Sequence, residues 1–294
     1  MQTFDIYNHK KVISSIKNPV IKEIALLKQK KFRDQHNVYL VEGIRLIEEC
    51  LKSKSNIKMV IYTKNALKKD RFKKALDVFG ERILNNNDTN GQLFDFFNMN
   101  KIPFLEVSTE VYEKITETEE PQGIMLIVEK FEYALDDIFP KDKNDHFIAI
   151  LDNIQDPGNT GTIIRTADAA GCSAVVLLQG TADIFNPKTI RSSMGSLFHL
   201  PIIQGVETEK LIELLKQKNV CLYSTALTYE DENIYNNIKY QKPLAIALGN
   251  EANGLSENIL KNCTKNIHIP IYGKAESLNV AIAAGIILYE IAKN

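Results

Sequence analysis

The chain reads as two α/β units in tandem, the second built on a parallel sheet with helices on both faces. Three observations carry this reading. Its 294 residues are enough for about two domains. From residue 147 onward, short apolar runs alternate with amphipathic stretches of helical period, the pattern of strands returning through crossover helices. Between the two halves, residues 129–145 are polar and acidic and contain Pro140, which marks a linker. The expected boundaries are 1–130, with an ordered core of about 10–128, and 146–294.

The first unit opens with helical spacing over residues 9–35, where Val20, Ile24 and Leu27 recur among lysines after Asn18-Pro19. Lys28, Lys30, Lys31 and Arg33 form a dense basic cluster there. A short strand follows at 38–41, then a helix at 42–51 with Ile44, Ile47 and Leu51 on one face. Residues 59–62 read as a second strand, 68–79 as a helix and 86–91 as a loop. Strands are expected again at 104–107 and 124–128. Arg45, just after Gly43, reads by itself as an ordinary helix-surface arginine.

In the second unit, strands are expected at 147–151, 174–178, 221–225, 244–248 and 267–270. Helices fall at about 160–170, 207–218, 256–260 and 277–292. Three of these strands run into loops rich in Gly, Asn and Glu that open a helix. The first loop holds Asp156-Pro157-Gly158-Asn159-Thr160-Gly161, where Asn159 or Thr160 can cap the next helix. Arg165 lies opposite that helix's apolar stripe. The second is Gly249-Asn250-Glu251-Ala252-Asn253-Gly254. The third is Gly273-Lys274-Ala275-Glu276-Ser277-Leu278-Asn279, entering an Ala-rich helix. Taken singly, Asn159, Ser277 and Asn279 read as helix caps, Arg165 as an exposed helix arginine and Glu251 as a surface acid.

Taken together, in this order and spacing, these stretches resemble the three signature motifs of the SpoU/TrmH family of RNA ribose methyltransferases, in the SPOUT superfamily. The turn Ser192-Ser193-Met194-Gly195-Ser196 departs slightly, since the family more often has Ala at the Ser196 position. The resemblance implies S-adenosylmethionine as cofactor and a ribose 2′-hydroxyl of RNA, most of all ribosomal RNA, as acceptor. It implies a catalytic set of Asn159, Arg165, Glu251, Ser277 and Asn279. It places the cofactor against Leu248, Gly249, Ile269, Ile271, Ser277 and Leu278. A deep C-terminal trefoil knot and a homodimer whose sites use both subunits also follow from the resemblance alone. The first unit resembles the ribosomal-protein-like substrate-binding domain that precedes many members, on Tyr39-Leu40-Val41-Glu42-Gly43 and Pro121-Gln122-Gly123. Lys28, Lys30, Lys31, Arg33 and Arg45 are then its candidate RNA contacts.

Charge supports a division of labour. Residues 1–80 carry 18 Lys and Arg against 8 Asp and Glu, a net of +10; the rest carries 18 against 29, a net of −11. A basic first unit suits phosphate contacts, or forms a solvated lysine-rich surface. Cys50, Cys172, Cys221 and Cys263 have neither metal-knuckle nor redox-pair spacing and read as reduced thiols of a cytoplasmic protein. His199 reads as structural, and His36 and His268 show no partner spacing, so no metal is expected. No apolar run reaches about 18 residues, so no membrane span is expected. A dinucleotide oxidoreductase would need Gly-x-Gly-x-x-Gly after residue 151, and a phosphate-loop NTPase a Lys after Gly161; neither is present. An RNA-binding module without catalysis, and a transfer-RNA substrate, remain as alternatives.

Overall fold

A computed structural model describes residues 12–53, 55–66, 102–139, 145–225, 233–250 and 253–293. The expected helix at 68–79, the loop at 86–91 and Glu251 lie outside the described residues. The chain divides into two compact units, Met1–Phe131 with Phe185–Pro187, and Glu132–Ile184 with Lys188–Asn294.

In the first unit, α1 (Pro19–Leu26) starts where expected, with Asn18 Oδ1 accepting from Val20 N at 2.9 Å. It is followed by α2 (Lys30–His36), β1 (Val38–Glu42), α3 (Ile44–Lys52), β2 (Ile57–Tyr62), β3 (Phe104–Glu106), α4 (Thr109–Ile115) and β4 (Ile124–Glu129). The sheet order is β1-β4-β2-β3, with β4 antiparallel to both neighbours and β2 parallel to β3. The helix expected from residue 42 begins at Ile44, because Gly43 turns the chain at φ 102°, which a residue with a side chain rarely adopts. Ile24, Leu27, Leu40, Ile61 and Ile127 belong to one core under this sheet.

The second unit holds β5 (Phe147–Asp152), α5 (Pro157–Ala169), β6 (Ala174–Leu178), α6 (Pro187–Ser193), β7 (Ile202–Val206), α7 (Thr208–Gln217), β8 (Cys221–Thr225), β9 (Leu244–Gly249), α8 (Glu257–Asn262), β10 (Lys265–Ile267) and α9 (Val280–Lys293). Its six strands run in the order β10-β8-β9-β5-β6-β7, every pair parallel. The central strands are buried along their length up to Gly249 at the end of β9, which is why they read as unbroken apolar runs. β7 was not expected. It is an edge strand with Gln204 and Gly205 exposed, so its pattern is too polar to stand out. β10 spans Lys265–Ile267, so only Ile267 of the expected 267–270 lies in it; the next residue, His268, leaves the sheet to bridge Ile234. Within the acidic stretch 129–145, a 3₁₀ turn at Leu135–Ile138 buries Ile138 in the second unit's core.

Candidate active site

A cavity of about 420 Å³ opens where β8, β9 and β10 end, lined by Thr225, Gly249 and Ile267 from those strands. The carboxyl ends of parallel strands are the usual ligand-binding edge of an α/β sheet. Asn250, Gly254 and Leu255 add one wall; Ile269, Ile271, Ser277 and Leu278 add another, and Val280, Ala283 and Ile287 of α9 close it.

The Gly249 loop folds tightly on itself. Asn250 and Gly254 exchange backbone hydrogen bonds at 3.0 and 2.9 Å. Asn250 Nδ2 donates to Asn153 O at 2.9 Å, and Asn250 Oδ1 accepts from Asn253 N at 3.1 Å. A Cβ on Gly249 would fall 2.6 Å from the Gly254 carbonyl carbon, so only glycine fits. At the end of β5, buried Asp152 accepts from Ser256 N at 2.7 Å and holds the far side of this loop.

The first loop is built around the start of α5. Asp156 caps this helix, in place of the expected Asn159 or Thr160: its Oδ1 accepts from Asn159 N at 2.7 Å. The helix starts earlier than its apolar stripe because Pro157 suits the first helical position. Lys188 Nζ donates to Asp156 Oδ2 at 2.9 Å. Those contacts, Lys188 foremost, hold the Asp156 carboxyl below the ordinary carboxylate range. Gly161 lets α5 lie against α6, since a Cβ there would sit 2.4 Å from Thr189 O.

The third loop meets the first. Asn279 Nδ2 donates to Asn159 Oδ1 at 3.1 Å, joining residues 120 apart in sequence. Asn279 Oδ1 accepts from Ala281 N at 3.0 Å and caps α9, which therefore begins at Val280 instead of 277. Arg165 is exposed on α5 and has no hydrogen-bond or ion-pair partner among the described residues. His199 Nδ1 lies 2.7 Å from Asp168 Oδ2 on the surface. Among the described residues, no three His, Cys, Asp or Glu side chains cluster as a metal site would require.

The strand order, the cavity and the joined Asn159 and Asn279 loops agree with a sequence match. Residues 146–289 match the SpoU rRNA Methylase family model, and residues 18–126 the MRM3-like substrate binding domain. Over 281 residues the chain is 36% identical to the 23S rRNA (guanosine(2553)-2′-O)-methyltransferase RlmP of Bacillus subtilis, covering 96% of this chain and 99% of the relative. The chain belongs to the SpoU methylase family. Among solved structures, it resembles the AdoMet-bound rRNA methyltransferase of Sinorhizobium meliloti at 33% identity and TM-score 0.78, covering 96% of this chain and 97% of that one. It also resembles an RNA 2′-O ribose methyltransferase at 30% identity and TM-score 0.77, covering 96% and 98%.

Of the residues expected from the SpoU motifs, Gly249, Ile269, Ile271, Ser277 and Leu278 share the cavity. Leu248 does not line it; its side chain is buried in β9, 1% exposed. Thr225, Leu255 and Ile287 line the cavity and were missed, because side chains from three separate elements converge there only on folding. In the first unit, Lys30, Lys31 and Arg45 are exposed. Arg33 corrects the expectation. It is 1% exposed, and its Nη1 donates to Leu27 O at 3.0 Å and Lys28 O at 2.6 Å, so it braces the turn after α1 and cannot reach RNA. Lys28 is half-buried, its Nζ donating to Thr116 O at 2.8 Å.

Proposed function

We propose that this protein transfers the methyl group of S-adenosylmethionine to a ribose 2′-hydroxyl of ribosomal RNA, working in the cytoplasm as a homodimer. The observation that carries the reading is the cavity at the sheet's carboxyl edge, bounded by the Gly249 and Ser277 loops, with Asn159 and Asn279 joined beside it. Its volume lies in the range of sites for small organic cofactors. Ile269 and Leu278 offer apolar surface to a flat base, and the Gly249 turn brings backbone polar groups close to the cavity. When bound, S-adenosylmethionine supplies an electrophilic sulfonium methyl.

The chain's own groups then have separate tasks. Asn159, Ser277 and Asn279 orient the acceptor and the cofactor loop by hydrogen bonds. The Arg165 guanidinium stabilises the charge that develops on the 2′-oxygen and holds a neighbouring phosphate. The resemblance puts Glu251 in the same catalytic set. Asn159 and Arg165 are six positions apart, which turns their side chains to different faces of α5. We therefore assign Arg165 to the site of a second copy. Ile282 and Tyr289, 58% and 56% exposed and seven apart on α9, supply an apolar face for that copy.

Between Ile267 and Val280 the chain passes from the β10 edge of the sheet to α9, which packs on α5 and β9. We read this crossing as the trefoil knot. The first unit, ribosomal-protein-like in this reading, presents Lys30, Lys31 and Arg45 to RNA phosphates. The substrate is tested by incubating the protein and methyl-labelled S-adenosylmethionine with unmodified ribosomal and transfer RNA. Label in ribosomal RNA supports the proposal; label in transfer RNA alone moves the substrate to transfer RNA.

A further inference from the structure

We propose that Asp156 and Lys188 are positioning residues, which set the Asn159–Asn279 pair and through it the cofactor loop. The inference rests on the reading of the site above. The hydrogen bonds run end to end. Lys188 Nζ donates to Asp156 Oδ2 at 2.9 Å, and Asp156 Oδ1 accepts from Asn159 N at 2.7 Å. Asn159 Oδ1 accepts from Asn279 Nδ2 at 3.1 Å, and Asn279 Oδ1 accepts from Ala281 N at 3.0 Å. The path starts on α6, crosses the start of α5 and ends in the first turn of α9. Ser277 and Leu278, which line the cavity, immediately precede Asn279.

The residue types suit the task. A carboxylate accepts at both oxygens, so Asp156 serves the helix start with one and Lys188 with the other. Lys188 thereby fixes the plane of the carboxylate. It also offsets a negative charge that would otherwise repel an approaching phosphate. Both side chains are about half exposed, at 54% and 45%. Such a pair adds little to stability, which leaves geometry as its contribution. Packing around it is tight. A Cβ on Gly158 would lie 2.8 Å from Asp156 Oδ1 and 3.1 Å from Lys188 Cε.

The test uses the full-length protein with Asp156→Ala, Asp156→Asn, Lys188→Ala and Lys188→Arg, unmodified ribosomal RNA and labelled S-adenosylmethionine, below every variant's melting temperature. Asp156→Ala should lower kcat about tenfold to a hundredfold, and Lys188→Ala about threefold to tenfold. KM for S-adenosylmethionine should rise by less than kcat falls, because the Ser277–Leu278 wall shifts with Asn279 while the Gly249 turn stays in place. Asp156→Asn keeps a cap acceptor and should recover most of the loss; Lys188→Arg should recover its own. Unchanged kcat in both alanine variants overturns the inference, as does failure of both conservative variants to recover. The side-chain amide resonance of Asn279 reads the same hydrogen bond without turnover, and should shift in Asp156→Ala. An unmoved resonance overturns the inference even if no RNA accepts a methyl group. Absence of transfer by the unaltered protein, with the resonance shifted, counts against the proposed function and not against the positioning.

Discussion

At Asn279 one side chain serves two loops. Its oxygen caps α9 and its nitrogen holds Asn159, so the residue that starts the last helix also ties it to the first motif. Arg165 is its opposite, a long cation on the surface with no partner among the described residues. A charge with no partner among the described residues, assigned above to the site of a second copy, is a candidate for transition-state work. Arg165→Ala should therefore lower methyl transfer by more than about a hundredfold while the Kd for S-adenosylmethionine holds, as read by calorimetry. An equal loss of cofactor binding would remove it from that role. The place of Asn279 and Arg165 in a site came from the SpoU resemblance, whereas the helix cap at Asn279 and the exposed face of Arg165 were legible in the sequence. The cap on α5 was not: Asp156, Asn159 and Thr160 can all serve, and only the backbone path selects among them. Nor was Arg33, whose burial depends on carbonyls at Leu27 and Lys28 that folding turns inward.

The elements divide in the same way. β5, β6 and β9 are buried on both faces, and their apolar runs announce them. β7 and α6 are short and partly exposed, so neither periodicity nor length marks them. The Gly249 turn carries a sharp consequence. Gly249→Ala drives a methyl group against the Gly254 backbone, and overpacking against backbone is relieved only by moving the loop. The Kd for S-adenosylmethionine should rise about tenfold or more in equilibrium titration. Gly273→Ala on the neighbouring loop meets nothing within 4 Å and should leave it unchanged. On α2, Lys30→Glu with Lys31→Glu should weaken RNA binding and reduce its salt slope by about one for each phosphate no longer neutralised. Arg33→Gln should instead lower the melting temperature with the slope intact, because its Nη1 is committed to the Leu27 and Lys28 carbonyls inside the fold.

For the whole molecule, each unit buries ionisable groups that prefer to stay neutral. Burial pushes the Cys50 thiol up to about 12 from 9.0 and raises Cys172 likewise. Burial, with Glu42 beside it, raises the Tyr112 phenol from 10.0. Each folded value lies above the unfolded one, so this part of the stability is complete below about pH 9 and is lost as pH rises through the folded values. Denaturation midpoints should accordingly fall between about pH 9 and pH 12, and Cys50→Ala with Cys172→Ala should flatten that fall. The two-unit plan was legible from length, the polar stretch at 129–145 and the uneven charge. The meeting of three distant loops was not, because sheet order decides which strand ends become neighbours.

The central claim is chemical, that the methyl group goes to a ribose oxygen. The measurement that tests it most directly is nuclease digestion of RNA labelled from methyl-labelled S-adenosylmethionine, followed by separation of the nucleosides by mass. The account predicts label on the sugar, as a 2′-O-methylnucleoside, and its loss in Arg165→Ala. Label on a base, with the ribose bare, would contradict it.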